Sequence, residues 1–225
     1  MTPKEKDRFL PPIIVQVVLA LQYLDTISFV HEKISLDNIM IRKDMAEIVP
    51  QVVITDLHLV SGVYKYSDSS IFLDSPLGGR SEKASYERGY RPPEDYDFSQ
   101  LVDQRKRLSW MLGATIYAAL TGHPPYGFAF SLNDVNPWTE RKLSSVMLNL
   151  ITWKQNSYPP ITTSHNRPLL RLMETLMTCE ADKRLTISRL DPTLLPELAD
   201  SSDLKAKNKP GPLNETSPSL TVEYA

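Results

Sequence analysis

The apolar residues Ile14, Val17, Val18, Leu21 and Leu24 recur at helical spacing, which predicts a mostly buried helix over 11–23. Pro11 and Pro12 suit its first turn, where a missing N–H costs nothing. Two short apolar runs follow, Asn38-Ile39-Met40-Ile41 and Val52-Val53-Ile54-Thr55, with polar residues and Pro50 between them. They predict a pair of short strands. Residues 61–89 are rich in Ser, Gly, Asp and Tyr without periodicity and read as one long loop. A loop of that length in a compact fold is functional or disordered. From Leu108 to Leu120 the chain is apolar nearly all round, the pattern of a helix at the centre of a core. Gly122 and then Pro124 and Pro125 end it. Further helices are expected over 140–154, 168–179 and 186–190. From about residue 200 the composition turns to Ser, Lys, Pro, Asn and Thr, a disordered tail. The organisation is therefore an N-terminal extension over 1–10, a mainly α (α+β) lobe over 11–198 and a tail over 199–225.

Composition narrows the function classes. The net charge of -2 supplies no basic field, which argues against nucleic acid and against an anionic membrane surface. A hydrophobic share of 41% and a charged share of 23% are those of a globular protein. Cys179 is the one cysteine, so no internal disulfide and no thiolate zinc cluster can form. That fits a reducing, intracellular and cytoplasmic setting. The charged N-terminus followed by prolines does not read as a signal peptide. The longest apolar run, Ile13 to Leu21, contains Gln16 and is short for a membrane span.

Six short motifs stand in order along the chain. His31-Glu32-Lys33 is followed by four residues and then Asn38. A predicted strand leads into Asp56-Leu57-His58, and the long loop closes on Gly89-Tyr90-Arg91-Pro92-Pro93-Glu94. Then come Trp110-Met111-Leu112-Gly113 and Leu120-Thr121-Gly122-His123-Pro124-Pro125-Tyr126, and last Asp182-Lys183-Arg184-Leu185-Thr186. In this order they resemble the C-terminal lobe of a serine/threonine-type protein kinase. There the catalytic loop reads His-Arg-Asp, four residues, Asn, and is followed by Asp-Phe-Gly and Ala-Pro-Glu. The resemblance covers residues 11–195 and not the N-terminal lobe: no Gly-x-Gly-x-x-Gly occurs in the sequence. The expectation is a lone lobe, or one shortened by truncation.

What the resemblance implies for chemistry is mixed. Lys33 stands where the family's catalytic aspartate accepts the proton of the attacking hydroxyl, and a protonated lysine accepts nothing. Ser35 replaces a lysine that contacts the γ-phosphate, Glu32 reverses the charge of a phosphate-clamping arginine, and His58 replaces a glycine. Leu108 stands at the position of an aspartate that ties down the catalytic loop, so the loop is expected to lack one anchor; Asp103 is nearby but out of register. Asn38 and Asp56 remain as a candidate Mg²⁺ and ATP-binding pair. Each retained residue also has a plain structural reading: His31 as a packed core histidine, Asn38 as a loop cap, Asp56 as a turn former. Glu94 and Arg184 match a buried ion pair of the family, and Trp110 and Tyr117 read as core aromatics.

Three functions compete at this stage. One is a catalytically impaired, pseudokinase-like binding or regulatory module whose partner is another kinase or a kinase substrate. The alternative is a fragment or divergent form of an active serine/threonine kinase that transfers phosphate from ATP to protein hydroxyls. The last is a degenerate remnant. With no second lobe over it, the interlobe face is expected to be apolar and to need a partner. Ser67, Ser69, Ser70, Ser75 and Ser81 are candidates for modification or simply loop serines, and Asn214-Glu215-Thr216 matches a glycosylation signal by chance.

Overall fold

Thr2 starts the first helix, α1 (Pro3–Thr26): its hydroxyl accepts from Glu5 N at 3.3 Å while the Glu5 carboxylate accepts from Thr2 N at 2.7 Å. This capping box, with Pro3 in the first turn, outweighs the signal of Pro11 and Pro12, which lie inside the helix and not at its start. An internal proline removes a donor and crowds the carbonyl four residues back. Tertiary contacts hold the affected turn. Lys6 Nζ donates to Leu120 O, and the Asp7 carboxylate accepts from Ser164 Oγ and from His165 N. The boundary expected between residues 10 and 11 thus falls within one continuous helix. The computed structural model describes residues 1–42, 50–57, 60–62, 64–66, 70–72, 88–97, 102–131 and 134–200.

By length and composition α1 is apolar enough to cross a membrane, a property the Ile13–Leu21 run alone did not suggest. Within the fold its apolar stripe of Ile13, Ile14, Val17, Val18 and Leu21 is buried in the core. The chain then forms β1 (Phe29–His31), a single 3₁₀ turn over Leu36–Asn38, β2 (Ile39–Arg42) and β3 (Gln51–Ile54). β2 and β3 are antiparallel, with Ile39 opposite Ile54 and Met40 opposite Val53. Gln16 explains the polar break in the α1 pattern. Its amide donates to Pro50 O at 3.0 Å and accepts from Val52 N at 3.1 Å, so the side chain acts as one more rung along β3.

The single long loop expected over 61–89 contains strands. β4 (Val60–Gly62) pairs antiparallel with β1, and β5 (Tyr64–Tyr66) pairs with β6 (Ser70–Phe72). The β1–β4 partners are far apart in sequence, and no local periodicity announces such a pairing. Ser70 lies in β6; Ser67, Ser69, Ser75, Ser81 and His58 fall outside the described residues, as do residues 201–225 with Asn214.

α2 (Gln104–Thr121) is the central helix. Asp103 caps it, accepting from Arg105 N at 2.9 Å and Lys106 N at 3.3 Å. Trp110, Met111, Leu112, Ala114, Thr115 and Ile116 are wholly buried. Gly122 ends the helix at φ 91°, a left-handed geometry that costs glycine little. A hairpin of β7 (Phe128–Ser131) and β8 (Asp134–Pro137) follows. α3 (Glu140–Trp153) and α4 (Arg167–Leu176) match two expected helices closely, and α4 packs on α2 where Gly113 leaves no room for a Cβ: Met177 Cγ would be 2.5 Å from it. The helix expected over 186–190 is only a 3₁₀ turn, Ile187–Arg189. A further helix, α5 (Leu194–Asp200), crosses the expected start of the tail and packs on α1 and α4.

Candidate functional site

The loop between β1 and β2 carries most of the candidate residues. His31 is fully buried at its start. Lys33 N donates to His31 Nδ1 at 3.2 Å, which puts the ring proton on Nε2, and Nε2 then donates to Thr55 O at 2.9 Å. Burial holds the imidazole pKa below its ordinary value, and the hydrogen bond to Thr55 O opposes this only in part. A neutral ring with both nitrogens engaged clamps the loop to the end of β3.

Asn38 sits at the other end of the loop, buried, with β2 beginning after it. Its carbonyl oxygen accepts from Ser35 Oγ at 2.9 Å, its Nδ2 donates to Asp56 Oδ2, and its backbone carbonyl accepts from Thr55 N at 2.9 Å. Asp56 is exposed and has φ 59°. Aspartate tolerates this left-handed geometry, yet it still costs about 1 kcal/mol, and such strain concentrates at functional sites. The structure thus brings Ser35, Asn38 and Asp56 together, with Lys33 half-buried on the same loop.

Two oxygen-bearing side chains here suit Mg²⁺, provided that water and phosphate oxygens complete its shell. Among the described residues no group of three or more His, Cys, Asp or Glu side chains converges as a metal site. The fit is to a shared site in which a nucleotide brings the remaining oxygens.

The loop does not lack an anchor. Leu108 offers no carboxylate, but its neighbour Arg107 donates from Nη1 to Glu32 O at 2.5 Å and from Nε to Asp95 Oδ2 at 2.8 Å. Thr115 Oγ1, two turns along α2, lies 3.2 Å from Ile34 O and 2.7 Å from Met111 O, so its one proton serves the helix carbonyl first and Ile34 O second. Sequence reasoning missed Arg107, Asp95 and Thr115. The only signal was two opposite charges, each beside a motif position, at Glu94 and Leu108.

Glu94, Arg184 and Trp110 form a separate buried cluster. Arg184 Nη1 and Nη2 meet Glu94 Oε1 and Oε2 at 2.5 and 3.0 Å, and the guanidinium carbon lies 5.0 Å from the centre of the Trp110 ring. Glu94 lies in the 3₁₀ turn Pro93–Tyr96; upstream, Gly89 (φ 84°) sits where a Cβ would meet Tyr126 O at 2.3 Å. Tyr90 follows; burial, and after it the charge of Asp37, pushes its phenol up to about 12.

No curated protein matches the chain. The protein kinase domain family matches residues 5–192, which take in the loop, the Asn38–Asp56 pair and the Glu94–Arg184 pair alike. On a match over most of its length, the chain belongs to the protein kinase domain family.

Proposed function

We propose that the chain is a catalytically impaired kinase-like module, built from the C-terminal-lobe half of the fold, that works by binding another protein. The observation that carries this reading is Lys33. Four residues separate it from Asn38, the spacing at which the family's proton acceptor stands, and an ammonium has three donors and no lone pair to offer. Ser35 reinforces it, because the hydroxyl is spent on Asn38 and no cation stands there to meet a γ-phosphate. In this sequence no glycine-rich phosphate loop adds to the grip on a nucleotide.

If ATP and Mg²⁺ bind, Asn38 Oδ1 and the Asp56 carboxylate are the ligands this chain offers, and the metal would neutralise phosphate charge there. Asn38 Nδ2 donates to Asp56 Oδ2, and a carboxylate with two oxygens can keep that bond while it meets a metal.

The binding role is supported by the outer face of β2 and β3. Met40 and Val53 lie directly opposite one another and are 60% and 48% exposed, with Leu57 at 60% close by in sequence. Apolar surface beside a polar pair suits a protein partner, and another kinase or a kinase substrate fits the family. An active serine/threonine kinase is the second reading, favoured by the meeting of Asn38 and Asp56.

A thermal-shift titration with ATP and Mg²⁺ separates the two, since a ligand of the folded state must raise its melting temperature. The impaired reading expects no shift and no transfer of phosphate to a protein hydroxyl. Transfer that disappears in Asp56→Ala would overturn it.

A further inference from the structure

Arg107 is buried near the start of α2, and none of the six motifs calls for it. Its Nη1 reaches Glu32 O inside the loop, and its Nε reaches the buried Asp95 carboxylate, which also takes Arg91 Nε at 3.2 Å. One guanidinium therefore joins two segments: the loop over 31–38 and the 3₁₀ turn Pro93–Tyr96. A buried arginine is costly unless its donors are met, so these bonds fix where each segment sits. The polarity also matters. A guanidinium can only donate, so it selects a loop conformation with the Glu32 carbonyl turned inward.

We infer that Arg107 is the positioning residue of the 31–38 loop and that Asp95 orients Arg107, so that the order of the loop is coupled to the order of the Pro93–Tyr96 turn. Thr115 Oγ1 lies near Ile34 O but has its shorter bond to Met111 O, and the coupling runs through the Glu32 end of the loop. Asn38 and Asp56 thereby respond to anything that displaces the turn, though neither touches Asp95. The inference concerns loop order and stands whichever way the question of phosphoryl transfer falls.

The test uses the full chain, with amide hydrogen exchange and ¹⁵N NMR of the His31 ring in Arg107→Met, Arg107→Lys and Asp95→Asn. In Arg107→Met, exchange across 31–38 is expected to rise about tenfold or more while α3 and α4 keep their protection. The His31 ring should lose its single Nε2–H signature. Arg107→Lys keeps a donor for Glu32 O and should restore part of the protection. Asp95→Asn should loosen the loop although the carboxylate bonds to Arg91 and Arg107 rather than to the loop. Wild-type loop exchange in Asp95→Asn overturns the coupling. Equal acceleration in every element of Arg107→Met, with no rescue by lysine, overturns the positioning role. Should Arg107→Met not fold, Asp95→Asn and Arg107→Lys decide the matter by the same readouts.

Discussion

Arg184 meets Glu94 with two parallel bonds, 2.5 and 3.0 Å long, across 90 residues of sequence. The same guanidinium also donates to Thr178 O at 2.8 Å, Lys106 O at 3.1 Å and Cys179 O at 3.4 Å, so all five of its N–H groups are used. The two ends of the pair are therefore unequal. Glu94→Met leaves one buried cation unpaired, a loss of about 3–5 kcal/mol. Arg184→Met strands the carboxylate and three carbonyls besides, and should cost about 1–3 kcal/mol more. The double variant strands only the three carbonyls and no charge, so it should lose less than Arg184→Met alone. Urea denaturation measures all three; equal losses for the two single variants would show that the carbonyl bonds contribute nothing.

His31 makes stability depend on pH. Its folded pKa lies below the ordinary 6.5 because burial disfavours the imidazolium. The unfolded chain therefore binds more protons just below that value, and stability must rise with pH through this window. The contribution is complete above 6.5 and is lost as pH falls toward the folded pKa. The melting temperature is expected to drop between about pH 7.5 and about pH 5.5, with a shallower drop in His31→Gln. Parallel curves for the two proteins would mean that His31 is not held neutral.

How far the sequence reveals all this depends on the range of the interactions. α2 and α3 were legible because their periodicity and ends are local: Gly122 terminates one, and Thr139 caps the other with its hydroxyl on Lys142 N. The start of α1 was not, since two prolines spoke more loudly than the Thr2–Glu5 box. β4 was hidden because its partner is β1, and pairing across that distance leaves no mark on the composition of a Ser-rich stretch. Motif order located Asn38 and Asp56, which do meet. Arg107 stayed invisible because the motif directs attention to Leu108, and only folding shows that the adjacent residue reaches the loop.

Gln16 offers a local test of that same limit. It looks like an interruption in an apolar stripe, yet its amide satisfies Pro50 O and Val52 N. Gln16→Leu restores the stripe and orphans both backbone groups. A loss of about 1–3 kcal/mol is expected, with faster amide exchange at Val52 before other residues. A more stable Gln16→Leu protein would show that the stripe, not the rung, governs this position.

Lys33→Asp asks how much of the chemistry one residue controls. The substitution supplies a carboxylate at the place of the proton acceptor, and general-base help of that kind is worth about 10²–10⁴ in rate. Phosphoryl transfer depends more on gripping and aligning the phosphates. Ser35 contributes a hydroxyl already bonded to Asn38, and Glu32 places an acidic residue where the family has a phosphate-clamping arginine. Restoring the acceptor alone should therefore leave transfer below detection, with a fold unchanged because Lys33 is half-buried and its backbone N–H keeps its bond to His31. The measurement is phosphate incorporation from labelled ATP into a mixed peptide pool, for wild type and Lys33→Asp at equal concentration. Transfer by the variant alone would mean that the chain already aligns the nucleotide, and that a single cation, rather than a weak phosphate grip, keeps it silent.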